Sequence, residues 1–150
     1  MAKTRVFISS TFYDLKYARG EIERFVRDMG FETVLNERGN IPYGSSENLE
    51  EYCYSEISKV NIVVSIIGGR FGSSSRSNEI YSISNQELKT AQKLGKQVYI
   101  FVESGVHSEY QTYKQNKENK TIKYTHVDDV KIYNFLEEMY SLPINNQIFS

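Results

Sequence analysis

The chain has 150 residues, of which 39% are hydrophobic and 25% are charged, and this balance is typical of one soluble globular domain with a single core. Its 18 basic and 19 acidic residues leave a formal net charge of −1, so it lacks the positive excess that neutralises a nucleic-acid backbone. No apolar run approaches the roughly 18 residues that span a membrane, and no secretory leader pattern opens the sequence. We therefore expect a cytoplasmic protein that binds neither nucleic acid nor membranes.

The cysteine and histidine content agrees with this expectation. Cys53 is the only cysteine, so no internal disulfide can form and a reducing compartment is expected. Its neighbours follow a helical pattern, in which an unpaired cysteine packs as a small hydrophobe. The two histidines, His107 and His126, lie in polar stretches with no other ligand cluster nearby. We expect no metal site and no resident cofactor.

Strand and helix patterns alternate along the first half of the chain. Residues 4–9 predict a strand, and apolar residues at helical spacing predict an amphipathic helix over 14–29. A second strand is predicted over 31–35 and, after a polar loop, a second helix over 46–59. Residues 61–67, Asn-Ile-Val-Val-Ser-Ile-Ile, are nearly continuous in β-branched side chains, which is typical of a central strand in a parallel sheet.

The same alternation continues beyond this third strand. Residues 68–82 form a long loop rich in glycine and serine. A third helix with inward-facing apolar residues is predicted over 84–94, and residues 97–102 predict a fourth strand. The pattern is therefore strand, helix, strand, helix, strand, helix, strand.

The last third of the chain is more polar. Residues 103–120 have room for a short helix, residues 121–125 predict a fifth strand at the sheet edge, and residues 128–140 predict a closing helix. For the tail after Pro143 we expect a frayed segment or one that is bound to a partner.

Strands joined by helices of this length need right-handed crossovers and form a parallel sheet. We therefore predict one α/β domain over residues 1–150, a flavodoxin-like three-layer sandwich whose strands have the order 2-1-3-4-5. In this arrangement the strand order reverses between strands one and three, and ligands bind there at the carboxyl ends of the strands. The predicted site lies between the loops that follow these two strands.

Small hydroxyl residues follow the first strand directly. Ser9, Ser10 and Thr11 precede two aromatic residues, Phe12 and Tyr13, and all five are candidates for substrate binding. Hydroxyls and backbone amides at a helix N-terminus can hold a phosphate. The alternative is that Ser10 or Thr11 caps the first helix, and the two roles are compatible. The Gly-x-x-x-x-Gly-Lys pattern of a Walker loop is absent.

A second candidate segment follows the third strand. Residues 68–72 read Gly-Gly-Arg-Phe-Gly. Gly69 lets the backbone approach a ligand, Arg70 can pair with a phosphate, and Phe71 offers a face for a ring. The alternative is a glycine turn with a surface arginine. The segment does not match the Gly-x-Gly-x-x-Gly fingerprint, so a Rossmann dinucleotide site is not indicated.

A third candidate opens the third helix. Ser84 is followed three residues later by Glu87, whose carboxylate would face the same edge of the sheet. In a cleft this carboxylate can stabilise positive charge on a sugar ring or attack the anomeric carbon. The alternative is a capping box, in which Glu87 bonds back to the Ser84 amide. Tyr81, just before the helix, is a candidate for stacking on a base or on nicotinamide.

Four segments match the motifs of one known domain family. Residues 6–15, Val-Phe-Ile-Ser-Ser-Thr-Phe-Tyr-Asp-Leu, resemble its opening, and residues 68–72 resemble its Gly-x-Arg-Tyr-Gly loop. Residues 84–91 resemble its Ser-x-x-Glu-x-x-x-Ala helix, and residues 95–98, Gly-Lys-Gln-Val, resemble its Gly-Lys-Pro-Val. The family is one long labelled as of unknown function, related to Toll/interleukin-1 receptor (TIR) domains and to nucleoside 2-deoxyribosyltransferases. The resemblance covers residues 4–102.

The resemblance implies the flavodoxin-like (TIR-like) fold and an activity. In enzymatic TIR domains and deoxyribosyltransferases a glutamate on the helix after the third strand acts on the N-glycosidic bond, and Glu87 holds that position. The resemblance therefore implies an enzyme with NAD as substrate, which releases nicotinamide and makes ADP-ribose or a derived signal, as in bacterial antiphage defence. Homo-oligomers and a downstream effector protein that responds to the product are the implied partners.

The sequence also departs from the family pattern. Ser84 stands where many TIR domains have cysteine, Phe71 replaces the usual tyrosine, and the Gly-Thr-x-x-Glu form of deoxyribosyltransferases is absent. Two alternatives therefore stay open. One is a non-catalytic TIR-like adaptor that self-associates or binds a partner, with Glu87 as a helix cap. The other is a hydrolase or transferase that acts on free nucleosides.

Overall fold

The computed structural model describes residues 3–11, 14–35, 46–76 and 78–150. The strands are β1 (Arg5–Ser9), β2 (Glu32–Leu35), β3 (Ile62–Ile67), β4 (Gln97–Val102) and β5 (Gln147–Phe149). The helices are α1 (Lys16–Asp28), α2 (Ser46–Ser58), α3 (Ile83–Lys93), α4 (Ser104–Gln115) and α5 (Lys131–Tyr140). Within the described part of the chain, no helix combines the length and the apolar character that crossing a bilayer requires.

The strands form one parallel sheet with the order β2-β1-β3-β4-β5, which confirms the predicted topology. β3 is buried along nearly its full length, as its run of β-branched residues requires. β1 and β3 are neighbours in register, so that Ser9 at the end of β1 lies beside Ser65 of β3. The carboxyl ends of these two strands therefore meet where the strand order reverses.

Two unequal hydrophobic layers cover the two faces of the sheet, which makes the fold a three-layer sandwich. On one face α1 packs against β1 and β3 through a small cluster that includes Leu15, Val26 and Ile66. On the other face the remaining helices bury a larger cluster, with residues from all of α2 to α5. Cys53 of α2 belongs to this larger cluster, as its predicted packing role requires.

The polar stretch after β4 contains α4, which confirms the short helix predicted there. Its inward face carries Val106, Tyr110 and Tyr113. The Tyr113 ring stacks on that of Tyr110 at 5.8 Å between centroids and on that of Tyr133 of α5 at 5.5 Å. Aromatic pairs at these distances attract each other beyond the area that they bury, so this cluster fixes α4 against α5.

The fifth strand lies elsewhere than the sequence predicts. Residues 121–125 form no strand, and their last N–H donates to the Glu109 carboxylate instead. The tail, for which the sequence predicts a frayed or partner-bound segment, forms β5, so the strand predicted over 121–125 and the frayed tail are both wrong. Asn145 adopts a left-handed φ of 57°, and its side chain accepts from the Val98 N–H and donates to the Lys96 carbonyl. These bonds align the tail beside β4, where it becomes the edge strand.

Candidate active site

A cleft opens at the carboxyl ends of β1 and β3, between these strands and the start of α3. It holds about 310 Å³ of space, part of which is open to solvent. Its polar lining comes from Thr11, Ser65, Arg70, Ser82, Ser84 and Asn85. Arg70 carries the only charge among the described residues that line it. The location is the one that the strand order predicts for a ligand.

Glu87 lies beneath this cleft rather than on its surface, with only 1% of its area exposed. Its Oε1 accepts a hydrogen bond from the Ser9 hydroxyl at 3.0 Å, and the same Ser9 Oγ lies 3.4 Å from the backbone oxygen of Ser84 on the cleft lining. Ser9 is fully buried, so its hydroxyl contacts the carboxylate and not a ligand in the open cleft. A carboxyl group removed from water needs such a donor, because burial without hydrogen bonds is costly.

The N-terminus of α3 is capped by Ser82 and not by Ser84. The Ser82 hydroxyl accepts from the Asn85 N–H at 3.1 Å, and the Asn85 side chain accepts from the Ser82 N–H at 3.2 Å. The helix begins at Ile83, one residue before the predicted start. Its cap, Ser82, lies two residues before the predicted cap, Ser84. The capping box predicted for Ser84 and Glu87 is therefore wrong, and capping no longer accounts for Glu87.

The loop after β3 is held by the segment that precedes α5. The Gly69 carbonyl accepts from the Asp128 N–H at 2.8 Å, and the Asp128 Oδ1 accepts from the Phe71 N–H at 2.9 Å. A Cβ atom at Gly69 would lie 2.1 Å from the backbone oxygen of His126, so only glycine fits there. Arg70, between the two hydrogen bonds, is exposed and lines the cleft. Gly69 thus serves the close approach of two backbone segments.

The two described rings that are candidates for stacking lie in packed surroundings. Phe71 is 7% exposed, and the Lys131 Nζ lies 5.3 Å from its ring centroid. Tyr81 donates its hydroxyl to the Glu138 carboxylate at 2.8 Å and accepts from the Lys89 ammonium at 2.9 Å. Stacking on a substrate ring therefore requires either side chain to leave these contacts.

The hydroxyl residues after β1 make short-range hydrogen bonds. Thr11 lines the cleft and donates its hydroxyl to the Asp14 carboxylate at 2.5 Å. Ser10 donates its hydroxyl to the Thr11 backbone oxygen at 2.9 Å. Phe12 and Tyr13, the other two candidates in this loop, lie outside the described residues. Thr11 is thus the described member of the group that a ligand in the cleft would meet.

Four polar residues at the site were missed by the sequence reasoning: Ser65, Ser82, Asn85 and Asp128. Ser65 is 2% exposed and lies beside Ser9. The sequence could have revealed it, because it is the one hydroxyl residue in the aliphatic run of β3. Asn85 has a local signal too, since it stands three residues after the cap Ser82. Asp128 has none, because its partner Phe71 lies 57 positions away in the sequence.

Glu109 of α4 anchors the segment before α5. Its carboxylate accepts hydrogen bonds from the N–H groups of Thr125 and His126 and from the Tyr133 hydroxyl. Partial burial raises the pKa of Glu109, but these hydrogen bonds outweigh burial and hold its pKa below the ordinary value of 4.5. The ionised carboxylate thus ties the segment that contacts Gly69 to both α4 and α5.

Solved structures that resemble this chain include two deoxyribosyltransferases and an N-glycosidase. A 2-desoxiribosyltransferase from Leishmania mexicana matches with a TM-score of 0.55 and 14% identity over 97% of this chain and 89% of that chain. The 2-deoxyribosyltransferase of Bacillus psychrosaccharolyticus matches with a TM-score of 0.49 and 19% identity over 66% of this chain and 72% of that chain. The CMP N-glycosidase BcmB of Clostridium botulinum matches with a TM-score of 0.47 and 14% identity over 93% of this chain and 100% of that chain. The match to the Leishmania mexicana protein supports a shared fold.

Sequence comparison identifies the family. No curated protein shows a significant sequence match to this chain. A family model described as a domain of unknown function (DUF4062) matches residues 5–144. The match runs from the start of β1 through α5 and so includes every element that contributes to the cleft. The chain therefore belongs to the DUF4062 family.

Proposed function

We propose that this protein cleaves the N-glycosidic bond of a nucleotide and that NAD is its substrate. The observation that carries the proposal is the buried pair of Glu87 and Ser9 beneath a cleft at the reversal of strand order. A buried carboxyl group is costly to the fold, and such groups concentrate at functional sites. The fold shared with the Leishmania mexicana protein, named as a 2-desoxiribosyltransferase, is compatible with chemistry at a glycosidic bond.

In the proposed reaction the bond between C1′ of the ribose and the nicotinamide nitrogen breaks. Its electron pair leaves with nicotinamide, and the sugar develops positive charge that the Glu87 carboxylate stabilises or captures as a covalent intermediate. Water then bonds to C1′ and releases a proton to solvent, which gives ADP-ribose. Attack by another nucleophile would give a cyclic or conjugated product.

The cleft offers a charge and hydroxyl groups for the rest of the nucleotide. Arg70 would pair with the diphosphate, and the hydroxyls of Thr11 and Ser84 would bond to the ribose. Glu87 is 1% exposed, so productive binding requires the side chains that cover its carboxylate to move.

Self-association belongs to the same proposal. Phe101 of β4 and Phe149 of β5 stack at 5.3 Å between ring centroids and are 37% and 44% exposed. An exposed aromatic pair is a surface that a second copy of the chain can cover. An effector protein that responds to ADP-ribose or its derivative, in antiphage defence, would be the downstream partner.

The test is incubation of the protein with NAD at high and at low protein concentration, with nicotinamide followed by chromatography. We expect Glu87→Gln to abolish release, because an amide cannot balance the positive charge on the sugar. The amide oxygen can still accept the Ser9 bond, so the free energy of unfolding should change by less than about 1 kcal/mol. Glu118→Gln, at an exposed position, is the matched control and should release nicotinamide at the wild-type rate.

Three outcomes would contradict the proposal. Release by Glu87→Gln at the wild-type rate would rule out the role of the carboxylate. Cleavage of free nucleosides but not of NAD would favour a nucleoside hydrolase or transferase. Failure of the wild-type protein to cleave NAD or any nucleoside at either concentration would favour a non-catalytic adaptor that acts through the exposed aromatic pair.

A further inference from the structure

Asp128 holds the backbone on both sides of Arg70. Its N–H donates to the carbonyl of Gly69 at 2.8 Å, and its Oδ1 accepts from the N–H of Phe71 at 2.9 Å. Because the two hydrogen bonds bracket a single residue, they fix the backbone of Arg70, which lines the cleft.

Asp128 is itself held in place. The backbone oxygen of His126 approaches Gly69 so closely that no Cβ atom fits between them. The N–H of His126 donates to the Glu109 carboxylate at 2.9 Å, which ties this segment to α4. The two hydrogen bonds that Asp128 makes on either side of Arg70 are therefore anchored to α4.

Arg70 carries the charge that a phosphate group would meet in the cleft. Among the described residues that line the cleft, no other is charged. Lys131 lies nearby, but its Nζ stands over the Phe71 ring at 5.3 Å from the centroid. An arginine on a fixed backbone loses less conformational freedom on pairing with a phosphate than one on a loose loop, and so binds it more tightly.

We infer that Asp128 is a positioning residue that fixes Arg70 and thereby makes the cleft prefer phosphate-bearing nucleosides to phosphate-free ones. The inference rests on the proposed function for the location and general class of the ligand. It does not depend on the chemistry at Glu87.

The test compares binding of ADP-ribose and of adenosine by titration calorimetry. Arg70→Ala should weaken ADP-ribose binding by about tenfold or more and leave adenosine binding within about twofold of wild type. Asp128→Ala removes the bond to Phe71 but keeps the backbone bond to Gly69, so it should weaken ADP-ribose binding by about fivefold. Asp128→Asn keeps an Oδ1 acceptor and should bind ADP-ribose like the wild type.

Two further controls distinguish the positioning of Arg70 by Asp128 from the mere loss of a negative charge and from a general loss of stability. Asp129→Ala removes the neighbouring carboxylate, whose Oδ1 accepts from the Lys131 N–H, and it should leave the affinity for ADP-ribose unchanged. Hydrogen exchange at the Phe71 amide should be faster in Asp128→Ala and unchanged in Asp128→Asn and Asp129→Ala, because only the first loses the bond.

The outcomes distinguish this inference from the proposed reaction. Wild-type affinity for ADP-ribose in Asp128→Ala, or an equal loss of affinity for adenosine, would overturn the positioning role. A wild-type protein that prefers ADP-ribose but releases no nicotinamide from NAD would overturn the proposed catalysis and leave this inference standing. A wild-type protein with no preference for ADP-ribose would overturn the inference alone if it still cleaves NAD, and both proposals if it does not.

Discussion

Glu87 and Ser9 place a carboxyl group and a hydroxyl in the interior of the fold, where most buried side chains are apolar. Ser9 and Ser65, which lie side by side on β1 and β3, are 0% and 2% exposed, and Glu87 is 1% exposed. Polar groups in such surroundings are tolerated when they are hydrogen-bonded to each other, and a partner left alone carries the full cost of its burial. The serine at the end of β1 is therefore part of the support of the carboxylate.

We expect Ser9→Ala to destabilise the protein by about 1–3 kcal/mol, because it leaves the buried Glu87 carboxylate without the donor that the structure places 3.0 Å from its Oε1. Urea unfolding followed by circular dichroism measures this, since the chain has no tryptophan. Ser10→Ala is the matched control, because that hydroxyl bonds to the Thr11 backbone oxygen and not to Glu87. Equal stability of the two variants would contradict the supporting role of Ser9.

The elements of the site are joined through loops that touch each other. Gly72 has a left-handed φ of 77°, and a Cβ atom there would lie 2.8 Å from the Thr11 Cγ2, so the loops after β1 and β3 are in contact. Gly69 is pressed in the same way against the backbone of His126. Glycines at these positions let the loop after β3 approach the Thr11 side chain and the His126 backbone, which a larger residue would hold apart.

Two glycine substitutions with opposite expected signs test this packing. Gly69→Ala should destabilise the protein by about 2–3 kcal/mol, because its Cβ atom would lie 2.1 Å from the His126 backbone oxygen. Gly20→Ala should instead stabilise it by about 0.5–1 kcal/mol, since Gly20 lies inside α1 with nothing within 4 Å of a Cβ atom. Urea unfolding of both variants gives the comparison. A stabilising Gly69→Ala would contradict the close approach.

Elements specified by local periodicity could be predicted from the sequence, and elements specified by distant partners could not. The β-branched run of β3 and the helical spacing of α1 to α3 are visible within a few residues of chain. β5 depends on hydrogen bonds between the Asn145 side chain and the backbone of Val98 and Lys96, at separations of 47 and 49 residues. Likewise Glu87 could be selected as a site residue, whereas its partner Ser9, 78 residues away, could not be assigned to it.

Across the whole molecule, ionised carboxylates hold the α4–α5 half together. Glu109 accepts three hydrogen bonds, from two backbone N–H groups and the Tyr133 hydroxyl. Glu137 of α5 accepts from the Lys117 ammonium and from the Tyr113 hydroxyl, and the bond to Lys117 is the largest cause that lowers its pKa. The segment that contacts Gly69 and Phe71 lies between α4 and α5. The shape of the cleft therefore depends on carboxylates that lie outside the cleft.

The stability of the fold should therefore fall in acid. The pKa of Glu109 and that of Glu137 lie below their ordinary value of 4.5 in the folded protein, so the unfolded chain binds protons first as the pH decreases. The stabilisation by each carboxylate is fully present above about pH 4.5 and is lost as the pH falls through the pKa of that carboxylate in the folded protein. We expect the free energy of unfolding, measured by urea titration at a series of pH values, to decrease between about pH 5 and pH 3.

Glu109→Gln isolates one of these contributions. The amide can accept hydrogen bonds but does not titrate, so the variant should be less stable than the wild type at pH 7 and should show a shallower decrease in stability towards pH 3. Glu118→Gln, at an exposed position, should follow the wild-type curve. Because Glu109 anchors the segment that contacts Gly69, the Phe71 amide should also exchange faster in Glu109→Gln. If the free energy of unfolding of Glu109→Gln falls with pH as steeply as that of the wild type, the Glu109 carboxylate does not contribute to the acid sensitivity of the domain.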